Sequence, residues 1–154
     1  PKIFVKTFDM VKKEDFPITV HAGEWDGPEK IRDAIKLLHP TRLGHGVRAI
    51  EDPILVDEIC NLDIVLEICP TSNVATKIYA DYNEHPVKKL YDKGVKVTVN
   101  SDDPPFFNAT VAGEYQIMSK LGLSDSELLS LTHNAINYSF CDKRTRNKLL
   151  KKLI

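Results

Sequence analysis

The 154-residue sequence is 42% hydrophobic and 28% charged with a formal net charge of −1, the balance of a single globular domain over residues 1–154 with a sizeable core. So even a charge gives no footing for nucleic acid or an anionic membrane as partner, although six of the last twelve residues are basic. No apolar run approaches the eighteen or so residues of a membrane span, no secretory h-region opens the sequence, and Cys60, Cys69 and Cys141 lack CxxC spacing, so free thiols in a reducing, cytoplasmic setting are expected.

Residues 3–14 repeat apolar side chains at helical spacing (Phe4, Val5, Phe8, then Met10 or Val11), and Pro17 stops that helix. Ile18, Thr19 and Val20 form a β-branched strand that runs into His21-Ala22-Gly23-Glu24. Asp26 near a cap and Pro28 in a first turn open a helix with Ile31, Ala34, Ile35 and Leu38 on one face, ended by His39-Pro40. Residues 42–47 read as a strand weakened by two glycines, and Asp52-Pro53 starts a helix to about Cys60. Residues 64–69 are a third strand, closed by a turn cluster from Pro70 to Asn73 and a polar loop to about Glu84. Ser72 and Asn73 are expected only to tie that loop through side-chain to backbone hydrogen bonds. Pro86 opens a helix to Asp92 with Gly94 as its C′ residue, and Val95, Val97 and Val99 then alternate with Lys96 and Thr98 as a fourth strand. A helix over 109–121, another opened by a Ser124/Glu127 capping box, and a basic one capped by Asp142 complete the chain. The last carries Leu149, Leu150, Leu153 and Ile154 on its apolar side.

Strands alternating with helices imply a parallel sheet with right-handed crossovers. The polar residues His21, Glu24, His45, Asp102 and Asp103 all fall at the C-terminal ends of strands, the edge at which α/β folds build their sites. Pro104 cannot donate to a ladder and disfavours helix at Asp103, so the fourth strand ends on two adjacent carboxylates. Their repulsion is relieved by a metal or a shared proton. Structural alternatives are an ion pair between His21 and Asp102, and Asp103 as a helix cap. Glu67 receives no role, and His39, His85 and His133 read as surface or packing residues.

The blocks H-A-G-E (21–24), R-L-G-H-G (42–46), C-P-T-S-N (69–73) and N-S-D-D-P (100–104) resemble the signature of the adenosine deaminase family, in its order. The spacings are 45 − 21 = 24 residues between the histidines and 102 − 21 = 81 from His21 to Asp102. The resemblance covers about Pro17 to Asn108 and implies an α/β fold, the last four strand-helix units of a (β/α)8 TIM barrel with extra C-terminal helices, and one catalytic zinc. It implies His21 and Asp102 as zinc ligands beside an open position for water, and His45 as the residue that holds and helps deprotonate that water. Glu24 would give a proton to the ring nitrogen beside the attacked carbon, which requires the protonated form that burial favours. Asp103 would bond the far side of the purine, and Gly23 would let backbone approach the ligand. The reaction so implied is hydrolysis of adenosine or deoxyadenosine to inosine or deoxyinosine and ammonia.

The family's His-x-His strand and its ribose contacts, both from an N-terminal half, have no counterpart among these 154 residues, and a whole barrel takes about 200 residues or more. The chain is therefore expected to be a C-terminal half-barrel, poor at holding zinc alone, whose open sheet edge is covered by a missing N-terminal half or by a second copy. Two further readings stay open: a non-catalytic remnant or interaction module, and a deaminase of a related purine such as adenine. The H-x-E and P-C-x-x-C pattern of the zinc deaminases that act on nucleic acid is not found.

Overall fold

The structure, a computed structural model, describes residues 1–153; Ile154, expected on the apolar side of the last helix, lies outside the described residues. Four short segments form β1 (Thr19–Ala22), β2 (Arg42–His45), β3 (Val65–Ile68) and β4 (Val97–Val99), all parallel and paired in chain order. Parallel neighbours need a crossover, and α2 (Pro28–Leu38), α3 (Pro53–Asn61) and α5 (Val87–Asp92) supply one between each successive pair. This is the alternating architecture expected from the sequence.

Register divides the two faces of the sheet. Val20, Leu43, Leu66 and Val97 share one row, and they pack with Ile31, Leu55, Ile59 and Leu90 from the crossover helices to make the core. The next row, His21, Gly44, Glu67 and Thr98, points the other way because strand side chains alternate. That second face is polar: the Thr19 hydroxyl donates to Glu67 Oε2 at 2.7 Å, and Arg42 lies 3.2 Å from Glu67 Oε1.

Local signals explain most helix boundaries. In α2, Pro28 stands at the first position and Ile31, Ala34, Ile35 and Leu38 are all buried, although the cap is Gly27 rather than Asp26. Asp52 caps α3 by accepting from the Ile54 and Leu55 amides. Two assignments are corrected. The cluster at Pro70–Asn73 is not a turn but the start of α4 (Pro70–Ala75), where proline's fixed φ suits a first helical position. Pro104 likewise opens a one-turn helix, α6 (Pro104–Phe107), for which Asp103 is the cap residue without a side-chain cap hydrogen bond.

Helices α7 (Val111–Lys120), α8 (Asp125–Asn137) and α9 (Lys143–Leu150) follow, α8 opening on the expected Ser124/Glu127 capping box. Asn134 on α8 donates to the Val97 carbonyl at 3.0 Å, which covers the β4 edge. The opposite edge, β1, pairs only with β2 among the described residues. Beside it α1 (Val5–Lys13) buries none of its residues. No helix of the described residues is long and apolar enough to cross a membrane.

Candidate active site

The C-terminal ends of the four strands deliver their polar residues to one place. After β1 the chain turns at Gly23 (φ +75°) and is fastened to the segment after β2: Gly46 N–H donates to the Ala22 carbonyl at 2.9 Å and Arg48 N–H to the Gly23 carbonyl at 3.1 Å. Arg48 Nη1 adds a third tie, to the Trp25 carbonyl at 2.7 Å. Glu24 is thereby held buried at 5% exposure. At the end of β2, His45 takes φ +64°, a left-handed conformation that costs a non-glycine residue about 1–2 kcal/mol. Asp102 beyond β4 does the same at φ +54°.

The side chains meet as follows. His21 Nε2 lies 3.1 Å from Glu24 Oε2, and His45 Nε2 lies 3.6 Å from the same oxygen and 3.8 Å from Asp102 Oδ2. The His21 and His45 rings pack at 4.6 Å between centroids. Burial lowers the proton affinity of His45 below the ordinary histidine range, against the opposing pull of the Glu24 carboxylate. A concavity of about 460 Å³ is lined by His21, His45, Glu67, Cys69, Asn100 and Asp102 among others.

Of the residues named from sequence, His21, Glu24, His45 and Asp102 are brought together. Asp103 is exposed, and among the described residues its side chain takes part in none of the cluster's hydrogen bonds or ion pairs. Gly23 adjoins Glu24, and the space a Cβ would occupy is filled by Ile31 and the Gly46 backbone. Glu67 is engaged by Thr19 and Arg42.

Sequence reasoning passed over three contributors. Ser72 and Asn73 do more than tie a loop: α4 points Ser72 Oγ at Asp102 Oδ2, to which it donates at 2.7 Å. Asn73 Nδ2 reaches Glu24 Oε1 at 3.2 Å and His45 Nδ1 at 3.1 Å. His85 is a buried packing residue with a specific partner, its Nε2 lying 3.2 Å from Asn73 Oδ1. The C-P-T-S-N block was the one signal that could have marked Asn73.

The donor atoms suit a divalent cation. His21, Glu24 and His45 each place a nitrogen or carboxylate oxygen within 4.8 Å of the others, and His45, Cys69 and Asp102 do the same with a nitrogen, a sulfur and an oxygen; zinc accepts such mixed sets. Cys69 is the weakest of these: burial, reinforced by the Asp102 carboxylate, raises its thiol pKa and keeps it protonated. His21 belongs to the first group and Asp102 to the second, with His45 common to both.

The chain is similar to known proteins along its length. Residues 1–154 match the adenosine deaminase family along their whole length. The adenine deaminase of Rhizobium meliloti (strain 1021) is 47% identical over 151 residues, 97% of this chain and 47% of the relative. The crystal structure of adenine deaminase from Arthrobacter aurescens superposes with a TM-score of 0.92 at 30% identity, over 97% of this chain and 46% of that one. The Arabidopsis N6-mAMP deaminase gives 0.87 at 27% identity, over 97% of this chain and 44% of that one. The chain thus spans about half the length of the relatives it matches.

Proposed function

Because the chain belongs to the adenosine deaminase family across residues 1–154, we propose that it carries half of the active site of a hydrolase that removes the exocyclic amino group of a 6-aminopurine as ammonia, with adenine as substrate. The observation that carries this is the buried contact of Glu24 with Asn73 and His45 at the C-terminal sheet edge, directly beside the donor pair His21 and Asp102. Adenine takes the place of the nucleoside expected from the sequence because the relatives of highest identity reported above are named adenine deaminases.

Zinc, held on this side by His21 and Asp102, would supply an acidified water as nucleophile. Glu24 sits out of solvent with Oε1 tied to Asn73, which leaves Oε2 to place a proton on the purine nitrogen next to the reacting carbon. His45 directs Nε2 toward the same space and holds the oxygen that enters. Ser72 fixes Asp102 in orientation. The rest of the barrel is the partner of the β1 edge, where a groove of about 510 Å³ is lined by Phe4, Phe8, Val20 and Trp25.

The test compares the 154-residue chain with the same chain joined to the part of the Rhizobium meliloti relative that it does not cover. The joined protein is expected to retain stoichiometric zinc and to release ammonia from adenine with a kcat/KM at least about tenfold above that for adenosine. The chain alone is expected to do neither. Preference for adenosine would overturn the substrate assignment, and tight zinc with steady turnover by the chain alone would overturn the half-site.

A further inference from the structure

The hydrogen-bond directions around Asn73 follow from a single backbone amide. Val87 N–H can only donate, so His85 Nδ1, 3.3 Å away, must accept and bears no proton. Burial also holds His85 down to about 4, so its ring is neutral and its one proton sits on Nε2. Nε2 then donates to Asn73 Oδ1 at 3.2 Å, which fixes which end of the amide is oxygen. The two Nδ2 hydrogens remain for two acceptors, Glu24 Oε1 at 3.2 Å and His45 Nδ1 at 3.1 Å. Every donor in this chain of bonds meets an acceptor, and both linking residues are buried, Asn73 completely. Tyr79 packs edge-on against the His85 ring, with centroids 5.2 Å apart, and holds its plane.

We propose that Asn73 and His85 are positioning residues which, anchored on the Val87 amide, hold neutral His45 in the tautomer with its proton on Nε2, so that His45 faces a bound molecule as a hydrogen-bond donor and not as a proton acceptor. A second feature points the same way. Nε2 faces Asp102 Oδ2 at 3.8 Å, and a lone pair there would oppose that acceptor, whereas an N–H complements it. The role of proton acceptor that the resemblance suggested for His45 gives way to orientation of the entering oxygen through Nε2–H. The tautomer rests on geometry alone; only its bearing on deamination rests on the proposed function.

Long-range proton–nitrogen NMR correlation on the nitrogen-15-labelled 154-residue chain identifies the tautomer of each histidine. His45 is expected in the Nε2–H form. Asn73→Asp replaces the donor by an acceptor at nearly constant shape and should convert His45 to the Nδ1–H form. His85→Gln, whose amide can still donate to Asn73 Oδ1, should retain Nε2–H, while His85→Leu should give a mixture because the Asn73 amide is free to turn. In the joined protein Asn73→Asp should lower kcat by about 10- to 100-fold with KM largely kept. An Nδ1–H signal for His45 in the unsubstituted chain, or an unchanged His45 pattern in Asn73→Asp, would overturn the proposal. Should Asn73→Asp not fold, the unsubstituted spectrum together with His85→Gln still decides. A joined protein without turnover but with His45 in the Nε2–H form would refute the deaminase reading alone.

Discussion

Substituting Gly23 by alanine separates a structural need for glycine from a ligand-dependent one. At φ +75° the backbone of Gly23 lies in the left-handed region, and a Cβ there would stand 2.3 Å from Ile31 Cδ1, 2.5 Å from Ile31 Cγ1 and 3.2 Å from the Gly46 Cα. Ile31 is fully buried and has nowhere to swing, and Gly46 presents backbone. The left-handed conformation costs alanine about 1–2 kcal/mol and overpacking a filled core about 1–3 kcal/mol. Gly23→Ala should therefore lose about 2–5 kcal/mol, which for a domain of this size lowers the Tm by roughly 5–20 °C. Thermal unfolding by circular dichroism without any ligand reads this directly. Ile31→Ala should cost less on the Gly23→Ala background than on the parent, since it opens the space that the new methyl needs. If Gly23 serves only to let a ligand approach, the ligand-free melting curve will not move, and that result would refute the packing argument.

Two other predictions concern buried titratable groups. His85 titrates near 4 in the fold because of burial and near 6.5 when unfolded, so the unfolded chain binds the proton first; the stability is complete above about pH 6.5 and is lost as pH falls toward 4, by about 3 kcal/mol. Urea unfolding at neutral pH and near pH 4.5 should show His85→Gln losing less over that range than the parent, and equal losses would contradict the assignment. Glu114 is buried, one oxygen accepting from the Thr71 amide at 3.2 Å and the other without a partner among the described residues, and burial raises its pKa. The fold then holds that proton more tightly than the unfolded chain, so stability falls as pH rises through the folded pKa. Glu114→Gln should stabilise the protein at neutral pH by about 1 kcal/mol and give nothing in acid, as read from urea midpoints; a destabilised variant at neutral pH would contradict this.

What was legible in the sequence was local in origin. Helix α2 declares itself through Pro28 and the spacing Ile31, Ala34, Ile35, Leu38, and α8 through Ser124 and Glu127, because caps and apolar stripes involve neighbours within a turn or two. The ends of β1, β2 and β4 were legible because each runs into polar residues, Glu24, His45 and Asp102 among them. Helix α4 was not, since Thr71, Ser72 and Asn73 compete with helix by bonding nearby backbone. The fold overrides that preference by giving Asn73 partners 12, 28 and 49 residues away in sequence. No periodicity carries such long-range pairings, so the partners of Asn73, His85 among them, emerge only in three dimensions. The left-handed turn at His45, which aims its ring at Glu24 and Asp102, leaves no mark in the residue type either.

The central claim is that this cluster is the reacting centre, and the most direct measurement is turnover of adenine by the joined protein carrying Glu24→Gln. Glutamine keeps the shape and the contact with Asn73 but has no proton to give to the purine. The account predicts zinc content and adenine KM close to those of the unsubstituted joined protein, with kcat lower by about 10²- to 10⁴-fold. A kcat within a few-fold of the unsubstituted protein would contradict it, and would move the reacting centre away from the C-terminal ends of these four strands.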